Sequence, residues 1–76
     1  STMEQKPIYL CYIIDDYSKS LEYLGENLSD CIAQLAKKHD LSKDEIDCLQ
    51  NTNEVFVEHS DIMIVIEEQT LNSFVV

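Results

Sequence analysis

Two segments, PIYLCYIID (Pro7–Asp15) and DIMIVIEE (Asp61–Glu68), are apolar on both of their alternating faces, and no other feature limits the fold as strongly. A strand with one wet face alternates apolar and polar side chains. A strand apolar on both faces belongs inside a sheet, with cover above and below. In the second segment Ile62, Ile64 and Ile66 fill one face, and Met63 and Val65 fill the other. A chain with two such strands must build layers around them and find enough material to cover two faces.

That material is scarce. A chain of 76 residues makes one domain and buries only about 60–65% of the surface its unfolded form exposes. The clearest helix lies in NLSDCIAQLAKKHD, where Leu28, Cys31, Ile32, Leu35 and Ala36 make one apolar stripe. Asn27 or Ser29 suits its N-cap, Asp30 its positive end, and Lys37, Lys38 and His39 its negative end. A second, shorter helix over Lys43–Gln50 is announced by a capping box, Ser42 with Glu45, and by a Leu41–Ile46 staple. LEYLG (Leu21–Gly25) reads as a second strand after the turn DDYSKS, and EVFVEH (Glu54–His59) as a third. Pro7 is expected to open the first strand, since proline cannot donate to a ladder. The order β-β-α-α-β-β implies an α+β fold, a small antiparallel sheet with two helices packed on one face.

Such a pair of helices roofs one sheet face only, because a helix of about 12 residues spans roughly 18 Å. Either Tyr9, Cys11 and Ile13 or Ile8, Leu10, Tyr12 and Ile14 would then meet water. An open face of that kind suggests a homodimer through the sheet, unless the sheet curls or TLNSFVV folds back over it.

Charge supplies the functional direction. Fifteen acids against five lysines and no arginine give a net charge of −10. This opposes direct contact with nucleic acid, which needs cations to displace counterions, and also opposes an anionic membrane surface. It attracts basic protein, with a steering force that salt weakens. Glu54 to Gln69 contains five acids and no lysine. Asp44, Asp47, Glu54, Glu58, Asp61, Glu67 and Glu68 are the candidate contacts, with Glu54 and Glu58 expected on one strand face and Asp40, Asp44 and Asp47 in one row. Tyr17 and Tyr23 are candidate anchors, tyrosine being enriched at interfaces.

Enzyme chemistry is not expected. One glycine, Gly25, cannot build a phosphate cradle. Cys11, Cys31 and Cys48 are widely spaced, lack the close pairs of a zinc site, and read as reduced core thiols. His59, between Glu58 and Asp61, reads as a polar turn residue. No cofactor or metal is implied. The chain lacks a spanning apolar run and a signal peptide, so a cytoplasmic protein is expected, with Ser1 and Thr2 as a cloning remnant before Met3. In composition alone it is similar to the small acidic proteins with which phages block restriction and CRISPR machinery. The expected role is an inhibitor that mimics nucleic acid on a partner's basic surface; the alternative is a homodimeric structural or regulatory domain whose acids only keep it in solution.

Overall fold

The sheet grows outward from its two doubly apolar strands. The computed structural model describes the backbone of residues 2–75 and the side chains of residues 5–70. In chain order the elements are β1 (Thr2–Ile14), β2 (Lys19–Gly25), α1 (Leu28–His39), α2 (Lys43–Thr52), β3 (Glu54–Val57), a 3-10 turn (Glu58–Ser60) and β4 (Ile62–Val75). The four strands form one antiparallel sheet in the order β2-β1-β4-β3, so β1 and β4 are the inner pair.

Both helices pack on the same face. Cys31, Ile32 and Leu35 of α1 and Leu49 of α2 meet Cys11, Val55, Val57, Ile64 and Ile66 of the sheet in one buried cluster. α1 lies over β2 and β1, while α2 lies against the edge strand β3. The fold is thus the α+β arrangement that the hydrophobic pattern implies. α1 starts at Asn27, whose side chain accepts from the Asp30 amide at 3.0 Å. α2 starts on the complete capping box of Ser42 and Glu45, with bonds of 2.9 and 3.1 Å.

The only glycine sits against α1. A Cβ on Gly25 would lie 2.8 Å from the Cys31 sulfur and 3.1 Å from the Tyr23 ring. The left-handed positions that glycine often fills go instead to Asp40 (φ 52°), Asn53 (φ 62°) and Asp61 (φ 55°), the residues closing α1, α2 and the 3-10 turn. Asn and Asp tolerate this conformation better than other side chains.

β2 starts two residues earlier than expected, at Lys19, and α2 ends two later, at Thr52; three further differences matter more. β3 stops at Val57, and Glu58–Ser60 turns away as the 3-10 segment, so Glu54 and Glu58 do not share a strand face. β4 runs on to Val75, paired with β1 back to Thr2, so the backbone of residues 70–75 continues the strand instead of folding back over the sheet, and Val76, the last residue of TLNSFVV, lies outside the described residues. Pro7 lies inside β1, opposite Thr70. Its missing donor costs nothing there. The Ile66 amide bonds the Asn53 carbonyl, so even-numbered β4 residues face the β3 side and odd-numbered β1 residues face the β2 side. β2 ends at Gly25, opposite Tyr9, and leaves that side of Pro7 vacant.

Candidate partner-binding surface

The fold sorts the charge. Residues 40–61, which hold α2, β3 and the 3-10 turn, contain seven acids and one lysine, Lys43. Residues 1–39 contain six acids and four lysines. Because α2 lies against β3 and β3 is an outer strand, the acid-rich segment becomes one edge of the molecule. Asp44, Asp47, Glu54, Glu58 and Asp61 all belong to it and are all exposed. The 3-10 turn is held against the helices by His59, whose Nε2 donates to the His39 carbonyl at 2.9 Å. Ser42, Glu45, Phe56, Glu58 and His59 line an open hollow between the start of α2 and the end of β3.

Elsewhere two acids, Glu22 and Glu67, find cationic partners. A bulge in β2, between the rungs Cys11–Tyr23 and Tyr12–Leu21, inserts Glu22 as an extra residue. Glu22 meets Lys38 at 2.9 Å and also the His39 ring. Burial alone would raise the Glu22 carboxyl, but the hydrogen bonds from His39 and Lys38 outweigh it and hold the group below the usual glutamate range. Lys19 reaches across the Tyr12 ring, 4.5 Å from its centre, to Glu67 at 3.7 Å. Asp15 is held low by the Tyr17 and Ser18 amides that its side chain accepts, each at 2.8 Å. Among the described residues Glu22 and Glu67 are the acids in ion pairs; no acid of residues 40–61 makes one.

The candidate residues therefore divide. Asp44, Asp47, Glu54, Glu58 and Asp61 share the acidic edge. Glu67 and Glu68 lie on inner strand β4, on opposite faces, and Glu67 is tied to Lys19. Asp40 ends α1 in its left-handed residue and so does not continue a row on α2. Tyr17, at the tip of the β1–β2 turn, is 96% exposed. Tyr23 is half-buried, packed on the core beside Glu22, Gln34, Leu35 and Lys38.

The second feature is the sheet face that carries no helix. Ile8, Leu10, Tyr12 and Ile14 of β1 point this way, together with Leu21 and Leu24 of β2, Phe56 of β3 and Met63 and Val65 of β4. Leu21, Leu24 and Phe56 are 52%, 53% and 48% exposed, so the outer strands carry open apolar area. The Lys19 stem crosses the middle of this face on its way to Glu67. Phe56 sits between the two features, on the open face and at the rim of the acidic hollow.

The two core thiols offer little reactivity. Cys11 and Cys31 touch in the core, and burial, then the neighbouring Cys31, pushes the Cys11 thiol up to about 12. Cys48 departs from the expectation of a core thiol. It is exposed, and its sulfur lies 3.3 Å from the Glu54 carbonyl at the link from α2 to β3. Among the described residues no three His, Cys, Asp or Glu side chains converge as metal ligands would, and no helix is long and apolar enough to cross a membrane.

The αL role of Asp40 and Asp61 was not anticipated, although an Asp directly after a helix in a chain with one glycine is a usable signal. The Glu22 cluster was also missed, since it depends on a strand bulge that periodicity does not reveal. No protein-family model, curated protein or solved structure matches this chain.

Proposed function

We propose that this protein is a non-enzymatic docking module that sets its acidic edge against a basic protein surface, of the kind that otherwise holds a nucleic-acid backbone. One observation carries the reading. Six acids (Asp44, Glu45, Asp47, Glu54, Glu58 and Asp61) are gathered with one lysine on the α2–β3 edge, and among the described residues none of them is neutralised by an ion pair within the chain. Clustered carboxylates repel one another, and a partner's Lys and Arg side chains relieve that repulsion as they bind. Several of these acids have local work: Glu45 caps α2, and Asp61 closes the 3-10 turn. Asp44 sits in the first turn of α2, at its positive end. Asp47, Glu54 and Glu58 make no side-chain hydrogen bond or ion pair among the described residues and are the contacts best freed for a partner. Phe56 supplies apolar area at the same rim, as interface centres require.

The reading is tested by competition. A basic nucleic-acid-binding enzyme from the host, loaded with labelled DNA or RNA, is mixed with the protein at low and at high salt. Displacement that weakens with salt, and that is lost in Asp47→Lys/Glu54→Lys/Glu58→Lys, supports a mimic of nucleic acid. A triple variant that competes as well as the parent removes the acidic edge from the contact. A second reading, a homodimeric structural or regulatory domain, draws on the open apolar sheet face; a dimer that survives the charge reversals and displaces no nucleic acid favours it.

A further inference from the structure

Beyond the end of β2 and β3, the inner strands continue alone. Thr2–Ile8 of β1 pairs with Gln69–Val75 of β4 as a two-stranded arm with no third strand beside it among the described residues. The arm makes the molecule long, 50 Å against 27 and 18 Å, with a radius of gyration of 14.2 Å where a rounded chain of this length has about 11 Å. A free two-stranded ribbon is marginal in water, and each of its edges is a row of unpaired backbone groups.

The two edges are not equivalent. On the β1 side, odd-numbered residues face outward, and one of them is Pro7, which has no N–H to offer. On the β4 side, the even-numbered residues Glu68, Thr70, Asn72 and Phe74 face outward, and the stretch from Gln69 to Val75 has no proline, glycine or charge. Charge also separates the arm from the body. Residues 2–8 hold one acid and one lysine, and residues 69–75 hold none of either, in a chain of net −10.

We infer that the chain pairs with a second copy of itself, antiparallel, along the open edge of β4. Two such edges are self-complementary under a two-fold axis: even-numbered residues face even-numbered residues in any register whose centre is one residue. A centre at Leu71 puts Thr70 opposite Asn72 and Glu68 opposite Phe74, which keeps the acids of the two copies apart. The product is a four-stranded sheet, β1-β4-β4-β1, joining two bodies at its ends. A second copy suits this edge because the two-fold pairing satisfies the open groups of both copies at once, and approach at this neutral segment keeps the repulsion between two −10 bodies low. This pairing uses the strand edge, so it is distinct from association through the apolar face, and it does not depend on the acidic-edge reading.

Analytical ultracentrifugation and amide hydrogen exchange test it together on the unmodified chain. The expected mass is twice 8.8 kDa, and the Thr70 and Asn72 amides should slow as concentration rises. The Leu71 amide, which faces β1, should change little. Thr70→Pro removes two backbone hydrogen bonds per dimer and should weaken association about 25-fold, at roughly a factor of five per bond. A monomer at millimolar concentration overturns the inference. So does a dimer whose Thr70 and Asn72 amides exchange freely, which would assign association to another surface. If Thr70→Pro fails to fold, the exchange pattern of the parent decides alone.

Discussion

The two faces of the sheet carry similar side chains and live in different surroundings. Under the helices, Cys11, Ile64 and Val57 have no solvent exposure, and Leu35 and Leu49 close over them. On the other side Ile8 is buried, but Tyr12, Ile14, Met63 and Val65 are only half-buried, and Leu21, Leu24 and Phe56 stand open. Composition does not separate these faces; the reach of two short helices does. The covered face holds the stability, while the open face holds area that folding leaves unused. Substitutions should therefore act on stability on one side and on association on the other.

The largest effect is expected at the centre of the covered face. Leu49→Ala removes a side chain with no exposure and leaves a cavity between α2 and β3, at a cost of about 3 kcal/mol. A domain this small has little stability to lose, so chemical denaturation should show a large fall in midpoint or no folded baseline. Next is Gly25→Ala, whose methyl would lie 2.8 Å from the Cys31 sulfur and should cost about 1–3 kcal/mol. Adding Cys31→Ala removes that clash. The double variant should then lose less than the sum of the two single losses; additive losses would show that the contact between α1 and β2 is not what excludes a side chain at residue 25.

Much of the covered face was legible in the sequence, because its signals are local. The stripe Leu28–Ala36, the Ser42–Glu45 box and the alternation around Ile64 each arise within one element. Which face of β1 meets the helices was not legible: Tyr9, Cys11 and Ile13 match Ile8, Leu10, Tyr12 and Ile14 in hydrophobicity, and tertiary packing decides between them. The candidate surface was half legible. Acid density is visible in the sequence, but the register that sets Glu54 opposite Val65, diagonal to Glu67 on the open face, is not, and the pairing of Glu67 with Lys19 crosses three strands.

The caps and ion pairs at the margins of the covered face should matter less than its centre. Ser42→Ala loses the bond to the Glu45 amide and should cost about 1 kcal/mol, read as a shift in denaturation midpoint. Glu22 gives a pH signature. Its carboxyl titrates below the ordinary value of 4.5, so the folded state binds that proton less readily than the unfolded state. Its stabilising contribution is complete above that ordinary value and drains away as pH falls through the lower value of the folded state. In Glu22→Gln the loss of stability on acidification should be shallower over that window; an identical slope would mean that the Lys38 and His39 contacts are not felt in solution.

The smallest effect on stability should come from the open face, and it sharpens the comparison most. Phe56 is 48% exposed on an outer strand, with no helix above it, so Phe56→Ser removes a ring that folding only half uses. The expected change is within about 0.5 kcal/mol, the range of surface substitutions. Under the proposed function the same substitution should weaken partner binding, because Phe56 is the apolar side chain at the rim of the hollow lined by Glu45 and Glu58. Loss of binding at unchanged stability would mark this face as surface held for association. A loss of 2 kcal/mol or more, the cost typical of a buried aromatic or aliphatic truncation, would mean that Phe56 belongs to the core and that the faces differ less than their exposure suggests.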